Sequence, residues 1–100
     1  MATYILLGNF TDQGIRNVKD TTKRADAVRA MAKKLRATVK DMYWTLGRYD
    51  VVATFEAPDD EAATALALGI GALGNVRTQI LRAFTAEEIG PIIAKAAKKK

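Results

Sequence analysis

With 100 residues, of which 49% are hydrophobic and 27% charged, the chain has the size and composition of one folded domain with a modest core. It contains neither cysteine nor histidine, which excludes disulfides, thiol chemistry, Ser-His or Cys-His catalysis and the common zinc and His-ligated haem sites, so no cofactor is expected. The net charge of +5 comes mostly from the end of the chain: Lys95, Lys98, Lys99 and Lys100 leave twelve basic residues against eleven acidic ones over residues 1–94.

In chain order, Thr3 to Phe10 is apolar on both alternating faces, as a central strand covered on both sides would be. Thr11 to Asp20 reads as a loop or a short helical turn. Thr21 suits the N-cap of an amphipathic helix with Ala25, Val28, Met31, Ala32 and Leu35 on its core stripe, ending near Arg36. Arg29, Lys33 and Arg36 line another face of that helix.

Two strands follow, about Ala37 to Leu46 and Tyr49 to Ala57, with Gly47-Arg48 as a two-residue type II′ hairpin loop in which glycine takes positive φ. The register sets Leu46 opposite Tyr49, Trp44 opposite Val51, Met42 opposite Ala53 and Lys40 opposite Phe55 on an apolar side. Thr45/Asp50, Tyr43/Val52, Asp41/Thr54 and Val39/Glu56 share the other. Pro58 stops the second strand and Asp59 suits an N-cap. The uncharged run from Ala62 to Val76 reads as a helix buried on more than one side, its glycines serving as close-approach points or, at Gly74, as the C-terminal cap. Asn75 to Phe84 is the last strand, and Thr85-Ala86-Glu87-Glu88 has the spacing of a capping box for a C-terminal helix.

The order is β-α-β-β-α-β plus an extra helix, which makes the fold α+β, ferredoxin-like, with a four-stranded antiparallel sheet. Residues 1–88 are expected to form that domain, and residues 89–100 the C-terminal helix and lysine tail. Both helices would cover one sheet face. The other face, apolar in part, calls for a partner, so a homodimer or higher homo-oligomer is expected, with the uncharged helix adding a second contact. The N-terminus lacks the plan of a signal peptide and no apolar run reaches membrane-spanning length, which points to the cytoplasm and to no membrane partner.

Three blocks carry a resemblance: Asn9 to Arg16 (NFTDQGIR), Tyr43 to Val52 (YWTLGRYDVV) and Glu56 to Ala63 (EAPDDEAA). In this order they resemble the GYD domain family, whose name is spelled by Gly47, Tyr49 and Asp50. The resemblance implies a dimeric α/β barrel. The hairpin is also similar to that of the effector-binding domains of leucine-responsive transcriptional regulators, although no helix-turn-helix segment is attached.

The mixed face of the hairpin is where a site is expected. Asp50 either accepts turn N–H groups or takes part in binding, while Trp44 and Tyr49 read as core aromatics. The first reading is a small oligomeric protein holding a small organic or anionic molecule between sheet faces, with Asn9, Tyr43, Asp50 and Arg82 as ligand-binding residues. The second is a cofactor-independent monooxygenase or isomerase of the dimeric α/β-barrel type, recruiting Asn9, Tyr43 and Asp50. The third, binding of nucleic acid or another anionic surface through the basic helix and the tail, is opposed by the nearly neutral body.

Overall fold

The computed structural model describes residues 1–98; Lys99 and Lys100, the end of the expected lysine tail, lie outside the described residues. Strand β1 (Ala2–Phe10) runs through the middle of the sheet and is paired on both sides. It lies antiparallel to β3 (Val51–Ala57) from Ala2↔Ala57 to Gly8↔Val51, and to β4 (Val76–Ala83) from Thr3↔Ala83 to Phe10↔Val76. With β2 (Thr38–Trp44) on the outer side of β3, the order is β2-β3-β1-β4, and all three pairings are antiparallel. This is the expected α+β, ferredoxin-like arrangement.

Helices α2 (Thr21–Lys34) and α3 (Asp60–Ala72) cover one face. Tyr4, Leu6, Ala53, Phe55 and Ala57 meet Ala32, Ala63, Leu66 and Ile70 in the core between the layers. The opposite face is open. It presents half-buried Ile5, Leu7 and Val52 with exposed Tyr43 and Leu81, which gives the chain apolar surface on a side that none of its own helices covers. Helix α3 buries only the stripe Ala63, Leu66 and Ile70, and Leu68 on its far side is 70% exposed, so burial on more than one side is not achieved within a single chain. Among the described residues no helix is long and apolar enough to cross a membrane.

Several local details depart from sequence-based expectation. Lys40 does not oppose Phe55: Val39 does, and the register shifts between Val39 and Asp41. A strict alternation would have driven the Lys40 ammonium into the core, whereas one extra residue leaves it exposed and turns Val39 onto the core side. Thr21, already helical in backbone, is the first residue of α2 with Asp20 at the N-cap, and its hydroxyl accepts the Trp44 indole N–H at 2.9 Å. At the other end of α2 the chain closes with Arg36 N–H to Lys33 and Ala37 N–H to Ala32, a pattern that places Arg36 at φ 61 without a glycine. The expected caps at Asp59 and Thr85 are formed, the latter as a full capping box at the start of α4 (Ala86–Ala97), whose first turn thus lies inside the 1–88 segment.

Helix α1 (Asp12–Arg16) and a 3-10 turn (Val18–Asp20) occupy the segment between β1 and α2. They are pinned to the entry of β4: Thr11 donates its N–H to Asn75 O at 3.0 Å and its hydroxyl to Gly74 O at 2.6 Å. Gly14 is buried there, and a Cβ on it would stand 1.9 Å from the Asn75 carbonyl oxygen. Gly69 lets α3 approach α2 over Met31 Sδ, while Gly71 faces open space. Chemical denaturation should separate these roles. Gly14→Ala is expected to destabilise by ~2 kcal/mol or more, since the obstacle is backbone. Gly71→Ala is expected to stabilise by about 0.5–1 kcal/mol, the ordinary helical preference for alanine.

Candidate functional site

Gly47 has the expected positive φ of 123°, but the hairpin tip is wider than a two-residue turn. Its last backbone bond runs from Thr45 N–H to Asp50 O at 2.8 Å, so residues 46–49 form the loop and Leu46 stands fully exposed. The reason lies in β1. Asp50 donates its own N–H to Gly8 O at 2.9 Å and accepts the Phe10 N–H on its carboxylate at 2.8 Å. Asn9 donates its side-chain amide to Arg48 O at 2.7 Å. The Tyr49 hydroxyl reaches Gln79 of β4 at 3.2 Å across the open side, which corrects its reading as a core aromatic. Asn9, Tyr49 and Asp50 together fasten the tip to the sheet.

The four residues expected to bind ligand therefore do not converge. Asn9 and Asp50 are neighbours whose polar groups are used on loop and strand backbone. Tyr43 stands on the outer strand β2, on the open face and 61% exposed. Arg82 lies on the other side of the sheet. It pairs across β4 with Tyr4, shares a face with Val76 and Ile80, and donates to the Thr3 and Ala83 carbonyls.

Around Arg82 a polar cluster forms that sequence reading missed. Tyr4, 2% exposed, stacks on Phe55 with ring centroids 5.3 Å apart and donates its hydroxyl to Asp60 Oδ1 at 2.6 Å. The Arg82 guanidinium lies 5.6 Å from the Tyr4 ring centroid and 4.3 Å from that of Phe84. Burial, followed by the hydrogen bond to Asp60, pushes the Tyr4 phenol up to about 12, so this hydroxyl is a donor at neutral pH and not a base.

The second unanticipated feature is a cavity of about 60 Å³ between α2 and the sheet. Its floor is Leu6, Phe55, Leu66 and Ile70, and Thr21, Arg24 and Trp44 stand at its more exposed edge. Trp44, 43% exposed, is thus a rim residue and not the core aromatic expected. Arg24 bends away to bond Asn17 O at 2.7 Å and Gly14 O at 3.2 Å, leaving its buried Nε without a partner among the described residues. The signal available in sequence was the alanine at positions 25 and 53: small residues facing each other across two layers leave space.

Two measurements check these assignments. Asp50→Ala should cost ~1.5–3 kcal/mol in a denaturant titration by stranding the Phe10 N–H, and Asp50→Asn, which keeps an acceptor, should cost less. Because the Tyr4 phenol is raised in the folded state, the protonated form is what folding favours. Stability should therefore hold up to about pH 10 and decline between about pH 10 and 12, a decline that Tyr4→Phe should lose.

The model of the GYD domain matches residues 4–93. Among solved structures, the chain is similar to TTHA0845 from Thermus thermophilus, at 28% identity over 86% of this chain and 96% of that one, with a TM-score of 0.56. It is also similar in fold to FFRP-DM1, at 17% identity over 84% of this chain and 100% of that one, with a TM-score of 0.61. No protein of curated function matches. A match that spans the hairpin latch, the helix layer and both flanking blocks leaves one conclusion: the chain belongs to the GYD domain family.

Proposed function

We propose that this protein binds a small, mainly apolar organic molecule in the cavity between α2 and the sheet, and that it does so as a homodimer closed across the open sheet face. The cavity carries the reading. A largely apolar space of about 60 Å³ that opens at its rim leaves apolar side chains without packing partners, and an apolar molecule that enters it supplies them. The cavity lining is mostly apolar, with Thr21, Arg24 and Thr78 as the polar side chains, and favours a molecule with few polar atoms.

Entry past Trp44 is supported by geometry. The indole is held over the start of α2 by a single hydrogen bond to Thr21, a contact that can open without disturbing the ladder of β2. The dimer is supported by the open face, where Ile5, Leu7, Val52, Tyr43 and Leu81 offer apolar area that a two-fold partner would remove from water at roughly 25 cal/mol per Å². Asn9 and Asp50 serve this assembly by holding the hairpin, not by touching ligand.

The chain has one tryptophan, so cavity occupancy has a direct optical signal. Titration with n-hexanol should shift Trp44 emission along a saturable curve, and Ala25→Val, which adds two methyl groups inside the cavity, should weaken that response at least tenfold without loss of fold. A linear response, equal in parent and variant, would refute the cavity as the site. Val52→Asp with Leu81→Asp should halve the mass seen by light scattering; an unchanged mass would move the dimer contact elsewhere.

A further inference from the structure

Helix α4 buries none of its twelve residues, yet it is fully formed and capped. Ile89, Ile92 and Ile93 on it are 37%, 39% and 59% exposed. A helix of this length, interrupted by Gly90 and Pro91, is marginal alone in water, so its apolar stripe calls for a surface to pack on.

The helix carries its own complement. At about 100° per residue, Ile89, Ile92, Ile93 and Ala96 fall on one stripe. Glu88 and Lys95, seven positions apart, lie along one flank of that stripe within about 20° of each other. The other flank holds only small residues, Ala86, Gly90 and Ala97. When two copies are laid antiparallel about a two-fold axis between Pro91 and Ile92, each isoleucine stripe meets the other. Glu88 of each copy then stands opposite Lys95 of the other, twice by symmetry, and the small flanks permit close approach. A parallel two-fold pair would instead set the Glu88–Lys95 flank of each copy against the small flank of the other, and no ion pair would form. The charges select the antiparallel arrangement.

We propose that α4 pairs antiparallel with α4 of a second copy of this chain, isoleucine stripe on isoleucine stripe, with Glu88–Lys95 ion pairs between the copies. The capping box leaves room for it. Thr85 N–H occupies Glu88 Oε1 at 2.9 Å and holds the carboxyl below its usual range, so the group stays charged and its other oxygen is free to face lysine. The pairing is separate from the sheet-to-sheet contact and does not depend on ligand.

A zero-length carbodiimide cross-link on a mixture of ¹⁴N- and ¹⁵N-labelled full-length chains tests it. The expected product is a peptide joining Glu88 of one label to Lys95 of the other; its absence, or a link from either residue to a sheet residue in its place, overturns the proposal. Glu88→Lys and Lys95→Glu should each abolish the link. An equimolar mixture of the two variants should restore intermolecular links, joining the two substituted positions to each other and the two native ones, Lys95 and Glu88, to each other. Failure of the mixture to do so also overturns it. Ile92→Asp should lower the parent cross-link yield at least tenfold while leaving the Trp44 response to n-hexanol unchanged, which separates this contact from the cavity reading; an undiminished yield would refute the isoleucine stripe.

Discussion

One carboxylate continues the central ladder where the strand itself stops. β3 pairs with β1 as far as Gly8↔Val51, and beyond that rung Asp50 supplies both of the next contacts, its N–H to Gly8 O and its carboxylate to Phe10 N–H. The consequences run outward. With β3 fixed on β1, Val51, Ala53 and Phe55 must face the helices; with β2 registered on β3, Trp44 arrives over the start of α2, where Thr21 receives it. The rim of the cavity is therefore set by a hydrogen bond on the far side of the hairpin. A charged acceptor suits that task because it bonds a backbone N–H more strongly than a neutral one would, and because strand pairing admits no half-step of slip.

The two faces of the sheet have different chemistry for a reason that begins in β1. Tyr4, Leu6 and Gly8 face the helices, and Thr3, Ile5, Leu7 and Asn9 face away. On the helix side a tyrosine in the core is tolerated because Asp60, at the first turn of α3, accepts its hydroxyl, and Arg82 lies over the ring, tempering the local negative charge. On the open side the polar groups are arranged in cross-strand fashion, with the Thr54 hydroxyl donating to Asp41 at 3.0 Å, while the apolar residues cluster on the central strands. Such a face leaves apolar area in water that the chain's own helices do not cover.

Much of the fold was legible because it rests on period and punctuation. The alternation in β1, the stripe of α2, the caps at Asp59 and Thr85, and the register from Trp44↔Val51 to Asp41↔Thr54 all follow from local pattern. The register fails at Lys40, where the cost of a buried ammonium outweighs strict alternation, and at the hairpin tip, where Gly8 and Phe10, some forty positions away, decide the loop. The candidate site was less legible for the same reason. Asn9 and Asp50 were expected to bind ligand together with Tyr43 and Arg82, but the partners the structure gives them are backbone groups, which carry no residue code. Arg82 shares the alternating face of Val76 and Ile80, so its side was readable once the helices were assigned to that face. Tyr4 and Asp60 are 56 positions apart, and nothing local joins them.

The cavity follows from the choice of alanine. Among the described residues twelve hydrophobic side chains are buried, six of them alanine, and only Phe55 and Leu66 are both large and fully buried. Alanine at 32, 57 and 63 brings the helix layer down onto the sheet, and the contact of Gly69 with Met31 brings the two helices together. With the layers held close at those points, Ala25 and Ala53 cannot reach across the remaining gap between α2 and the sheet, and space is left where a leucine would have filled it. A core this light, with a void in it and an uncovered apolar face behind it, has little stability to spare. Whatever fills the cavity or covers the face binds the folded chain and not the unfolded one, and so adds to its stability by mass action. On the proposed reading, the same economy of side-chain volume would make the fold answer to ligand and partner concentration.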